Sequence, residues 1–196
     1  TEVSAQLMRF YPQRELLTHT LGYVGRINDR EIKNIDPESY QGTDFIGKIG
    51  LEKYYEEALL GKVGTEQVET NARGRVMRVL GKKDPVSGSN LTIHIDSKLQ
   101  RTALDALKGE RGALVAIDVK TGGILSMVST PSYDPNLFIS GISQKQYDGL
   151  LNSPDRPLFN RALRGQYPPG STVKPLFGLI GLQHNIYDMD YSIYDP

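Results

Sequence analysis

Tyr167-Pro168-Pro169-Gly170-Ser171-Thr172-Val173-Lys174-Pro175, followed by the apolar run Leu176-Phe177-Gly178-Leu179-Ile180-Gly181-Leu182, is the most informative stretch of this chain. Two prolines and a glycine stop any preceding regular element and set a sharp entry into a helix. The spacing predicts a helix from about Ser171 to Leu182, which places Lys174 one turn from Ser171 on the same face. Pro175 then falls in the first turn, where its missing N–H costs no helical bond. Unpaired backbone N–H groups at that end favour developing negative charge by about 0.3–1 kcal/mol, an assistance and not a mechanism. A hydroxyl becomes a good nucleophile when a neighbouring group takes its proton, and an amine can do so. A free lysine is almost wholly protonated at neutral pH, so Lys174 needs burial or cationic neighbours to serve as the base. The same pair has a plain structural reading, a helix-capping serine with a lysine on the solvated face.

Outward from that stretch, 196 residues suit one ordinary domain or two small ones. Hydrophobic content of 38% with 23% charged residues describes a chain able to build a core. Lys plus Arg balances Asp plus Glu at 23 each, which leaves no electrostatic footprint for nucleic acid. The absence of cysteine excludes disulfides and thiolate metal sites. No run approaches the roughly 20 apolar residues that span a bilayer, and Thr1-Glu2-Val3-Ser4 reads as a trimmed start.

Two regions emerge, residues 1–90 and 91–196. In the first, Leu51, Tyr54, Tyr55, Ala58 and Leu59 follow helical spacing, with Gly61 as the stop. Glu52, Glu56 and Glu57 read as the wet side of that helix. Residues 66–70 and 75–80 read as a hairpin around Asn71-Ala72-Arg73-Gly74, and residues 82–89 as a loop between the regions. In the second, Leu91, Ile93 and Ile95 alternate as in a half-buried strand. Ser97 and Gln100 match a capping box ahead of a helix that Gly109 closes. Residues 113–117 and 124–128 form a hairpin whose apolar runs predict a sheet covered on both faces. Residues 131–160 carry four prolines and read mostly as loop.

The residues at 167–175 resemble the active-serine segment of the class B penicillin-binding proteins. Ser129-Thr130-Pro131-Ser132-Tyr133-Asp134-Pro135-Asn136 and Asn160-Arg161-Ala162 resemble segments that precede that serine in the family. Residues 47–55 and Asn71-Ala72-Arg73-Gly74-Arg75 resemble its non-catalytic pedestal. The resemblance implies an α+β fold. Residues 1–90 would be a mixed pedestal, and 91–196 the start of a transpeptidase domain with an antiparallel sheet and an active-serine helix. It implies a D,D-transpeptidase that cross-links peptidoglycan stem peptides during cell elongation and is acylated by β-lactams. Ser171 would be the nucleophile, Lys174 its proton acceptor, and the Ser171 N–H part of the oxyanion hole. The implied setting is the periplasmic face of the inner membrane, with an anchor outside these residues. The implied partners are a glycosyltransferase and the rod-shape scaffold proteins; no cofactor, metal or nucleic acid is implied.

The family site also needs a Ser-x-Asn and a Lys-Thr-Gly or Lys-Ser-Gly after the serine. No Ser-x-Asn occurs here, and Lys120-Thr121-Gly122 precedes Ser171, so it reads as a hairpin turn and not as the functional copy. The chain is therefore expected to be the incomplete front of a longer enzyme. A catalytically incomplete scaffold module and a β-lactam sensor domain are the alternatives. His184, Asp188, Asp190 and Asp195 carry metal-ligand chemistry, but a solvated loop is the preferred reading. His19 and His94 stand apart from any Ser-His-Asp pattern.

Overall fold

Three separate antiparallel hairpins, each two-stranded, organise the chain in a computed structural model that describes residues 8–107 and 109–194. The described residues fall into two compact units, one running to Arg164 and the other starting at Gly165.

In the first unit a 3-10 turn (Arg14–Leu16) leads into a single helical turn, α1 (Thr18–Leu21). Strand β1 (Tyr23–Arg26) follows and pairs with β2 (Phe45–Ile49) across a long connection that no local pattern announces. The helix expected at 51–60 is split at Tyr55 (φ −105°, ψ 21°) into α2 (Gly50–Tyr54) and α3 (Glu56–Leu60). Its orientation also corrects the sequence reading. Tyr54 is 80% exposed while Glu52 is only 7% exposed. Burying Glu52 is possible because it is fully engaged. It accepts from the Tyr11 hydroxyl at 3.0 Å and from Arg9 at 2.9 Å and 3.1 Å. Glu56 likewise accepts from the Gly47 N–H at 2.6 Å and from the Tyr40 hydroxyl at 3.0 Å.

Strands β3 (Thr65–Thr70) and β4 (Val76–Lys83) form the expected second hairpin, exposed along its whole length. Lys82 and Lys83 belong to β4 and not to the loop assigned from sequence. Residues 91–95 form no helix or strand and join no ladder among the described residues. Ile93 and Ile95 still alternate with exposed neighbours, so the half-buried pattern is present without a strand to pair with.

Helix α4 (Ser97–Ala106) packs on strand β6 (Ile124–Thr130), which pairs with β5 (Gly112–Ile117). Asp96, one residue earlier than expected, is the N-cap; its carboxylate accepts from the Lys98 and Leu99 N–H groups. Gln100 is released from any capping role and is wholly buried. Its amide nitrogen donates to the carbonyls of Leu16 (2.8 Å) and Met127 (2.9 Å). Its amide oxygen accepts from the Ser126 hydroxyl (2.9 Å) and the Met127 N–H (2.8 Å). The side chain thus satisfies the free edge of β6 as a neighbouring strand's peptide group would. The sheet is not covered on both faces: β6 is largely buried, but β5 alternates, leaving Val115 and Ile117 exposed. Residues 131–160 hold more structure than expected, α5 (Asn136–Ile139) and α6 (Gln144–Leu151), the latter opened by a Ser143–Gln146 capping box. The short helix α7 (Arg161–Arg164) ends the unit.

Residues from both sides of position 90 are tied together within this unit. The Tyr11 N–H donates to the Asn136 side chain at 2.9 Å, Thr18 donates to the Tyr133 carbonyl at 2.8 Å, and Asn160 donates to the His19 carbonyl at 2.9 Å.

Candidate functional site

The second unit carries the serine segment. Gly170 has φ 55°, a conformation that favours glycine, and its Cβ position is open, so the demand there is conformational and not steric. It opens a 3-10 turn (Gly170–Val173) that contains Ser171, and the α-helix proper, α8, runs Lys174–Gln183. The α-helix therefore begins three residues later than expected, because Gly170 and the Pro168-Pro169 pair hold the entry in a tighter winding. Thr172 reinforces that turn by donating its hydroxyl to the Pro169 carbonyl.

Ser171 in the 3-10 turn and Lys174 at the start of α8 are three residues apart, a spacing that puts them on neighbouring sides of the backbone in either winding. Both are exposed, and Pro175 lies within the first helical turn. The helix that follows is apolar all round. Leu176, Phe177, Leu179 and Ile180 are exposed, although such a helix ordinarily occupies a core.

Beyond α8 the chain turns back on itself. Tyr187 donates its hydroxyl to the Phe177 carbonyl at 2.8 Å and lays its ring on Gly181, where a Cβ would come within 2.0 Å of the ring. Tyr187 also stacks on Tyr191 at 5.6 Å. His184, Asp188 and Asp190 are exposed, and Asp188 accepts from the Asp190 N–H at 3.1 Å in a local turn. Asp195 lies outside the described residues. Among the described residues no group of three or more potential metal ligands stands together. Lys120-Thr121-Gly122 is the β5–β6 turn, gathered around Asp118, which accepts from the Lys120 N–H and the Thr121 hydroxyl.

Comparison with protein families matches residues 1–93 to the penicillin-binding protein dimerisation domain and residues 112–196 to the penicillin-binding protein transpeptidase domain. The chain belongs to the penicillin-binding proteins. It is 50% identical over 194 residues to the peptidoglycan D,D-transpeptidase MrdA of Acinetobacter baumannii, covering 99% of this chain and 29% of that relative. Penicillin-binding protein 2 (PBP2) of Pseudomonas aeruginosa, solved in complex with WCK 5153, superposes with a TM-score of 0.86 at 50% identity, over 97% of this chain and 38% of that one. Helicobacter pylori PBP2, solved with MreC, superposes with a TM-score of 0.88 at 34% identity, over 96% and 35% respectively. The chain thus spans less than a third of the curated relative's length. The α+β architecture read from sequence, pedestal first and transpeptidase domain second, is that of this family.

Three residues that matter to this structure escaped the sequence reading of roles: Glu52, Gln100 and His19. The patterns around Glu52 and Gln100 pointed to surface positions, and nothing local marked His19 as buried.

Proposed function

We propose that this penicillin-binding protein segment is the pedestal and serine-bearing front of a peptidoglycan D,D-transpeptidase that serves cell elongation. Residues 1–90 form the non-catalytic pedestal and 91–196 the first part of the transpeptidase domain. What carries the reading is Ser171 on a glycine-opened 3-10 turn, three residues before Lys174 at the head of an apolar helix.

The chemistry follows from those two side chains. Ser171 Oγ attacks the carbonyl of the penultimate D-Ala of a stem peptide as the Lys174 amine takes the hydroxyl proton. The developing oxyanion is met by backbone N–H groups at the turn, Ser171's own among them. Collapse of the intermediate breaks the D-Ala–D-Ala bond, the departing amine receives the proton, and the acyl group stays on Ser171. An amine from a neighbouring stem then attacks that ester, forming the cross-link and returning the serine hydroxyl. A β-lactam enters the first half of the same sequence. The name of the Acinetobacter baumannii relative, a peptidoglycan D,D-transpeptidase, supports the activity, and the complex of Helicobacter pylori PBP2 with MreC supports a protein partner of that kind; the setting we propose is the periplasmic face of the inner membrane.

Fluorescent penicillin tests the proposal. The longer protein containing these residues takes the label, Ser171→Ala abolishes it, and Lys174→Met slows acylation by about 10²–10⁴-fold, the usual worth of a positioned proton acceptor. The 196-residue chain alone stays unlabelled. Labelling that survives Ser171→Ala refutes the assignment, and Ser171-dependent labelling of the short chain refutes its incompleteness.

A further inference from the structure

The single helical turn α1 holds a buried histidine whose chemistry the proposed reaction does not use. His19 is 7% exposed, and its Nε2 is a buried side-chain atom without a hydrogen-bond partner among the described residues. The ring meets Tyr133 edge-on, with centroids 5.7 Å apart. Contacts on either side join α1 to distant parts of the first unit. Thr18 donates to the Tyr133 carbonyl, and Asn160 donates to the His19 carbonyl. Arg161 is the charged group that acts on the ring. Its guanidinium is held by the carbonyls of Asp155 and Arg156, so it cannot readily move away. No titratable side chain other than His19 lies on α1 itself.

A neutral imidazole carries one N–H, whereas the protonated ring carries two and a full charge. In this site the added charge would sit in a desolvated pocket beside a fixed cation. The backbone carbonyls of Pro131 and Pro157 offset only part of that cost. α1 is four residues long and the segment at 157–160 forms no helix or strand, so separating them breaks few contacts.

We propose that His19 makes this junction an acid-released latch: once its ring is protonated, the single turn α1 unwinds and parts from the 157–161 segment while the β5–β6 hairpin stays folded. Burial is the leading reason that its pKa is pushed down to about 4, with Arg161 adding to the effect. An opened, solvated His19 regains a pKa of about 6.5. Between those values the opened form binds more protons than the closed form, so closure is favoured above about 6.5 and weakens as pH falls.

Hydrogen exchange on the 196-residue chain tests this, read at the amides of Leu21 and Gly22. These bond to the carbonyls of Leu17 and Thr18, bonds that unwinding of α1 breaks. Corrected for intrinsic exchange, their opening constants should rise on the order of 60-fold from pH 7 to about pH 4.5, from the two pKa values. The ladder amides of β5 and β6 should not follow. His19→Phe, which keeps an aromatic edge against Tyr133 and cannot titrate, should abolish the rise. An unchanged rise in that variant, no rise in the native chain, or an equal rise in the ladder amides overturns the latch. If His19→Phe does not fold, the imidazole ¹⁵N shifts of native His19 decide. Protonation in step with opening upholds the proposal, and either event without the other refutes it.

Discussion

Replacing Gln100 with leucine removes four hydrogen bonds at a stroke while nearly preserving volume. The bonds run to the carbonyls of Leu16 and Met127 and from the Ser126 hydroxyl and the Met127 N–H, all at 2.8–2.9 Å around a side chain with no exposed surface. Leucine leaves these groups buried, at about 1–3 kcal/mol for each one unsatisfied. The Met127 carbonyl keeps a longer bond from Thr20 at 3.4 Å, so its loss is partial. Burial of the leucine side chain returns about 2 kcal/mol. The net destabilisation is on the order of 4 kcal/mol, at the upper end of single substitutions. The assay is urea unfolding of the 196-residue chain followed by circular dichroism, with Thr102→Ala on the exposed side of α4 as the control, expected within about 0.5 kcal/mol of native. The midpoint should drop sharply at unchanged slope, and the Met127 amide should lose protection first. A Gln100→Leu midpoint within about 1 kcal/mol of native would refute the claim that this amide closes the edge of β6.

Two further outcomes follow from the geometry. Asp96→Ala should cost about 1 kcal/mol of stability, because it removes the carboxylate that caps α4, while Ser97→Ala costs only a few tenths; thermal unfolding of the two variants side by side distinguishes the caps, and equal effects would restore Ser97 to that role. Gly181→Ala should displace the Tyr187 ring, which a Cβ would approach to 2.0 Å, and break its bond to the Phe177 carbonyl at a cost of about 1–3 kcal/mol. Chemical shifts at 177–191 report the displacement. Adding Tyr187→Ala should remove most of the penalty, and strict additivity of the two changes would contradict the contact.

The parts of this protein legible in sequence are those encoded by neighbours in the chain. The Pro-Pro-Gly entry, the serine and lysine three residues apart, and the Lys120-Thr121-Gly122 turn depend on backbone conformations that a few adjacent residues set. The same holds for the β3–β4 and β5–β6 hairpins, whose strands lie close in sequence. Family resemblance added the pedestal, because its motifs are also local.

Tertiary structure decided which side of each element faces inward. Apolar spacing assigned Tyr54 and Tyr55 to the core and the glutamates to water, yet Glu52 is buried, since Arg9 and Tyr11, more than 40 positions away, supply its partners. Gln100 matched a capping pattern by spacing, but a β6 edge 27 positions away claimed its amide. Residues 91–95 alternate as a strand does, but among the described residues they have no pairing partner and form no ladder. Charge burial, edge satisfaction and strand pairing are all settled by groups distant in sequence. Periodicity records only a residue's preference for water or protein, and a preference yields when hydrogen-bond partners arrive from elsewhere in the fold.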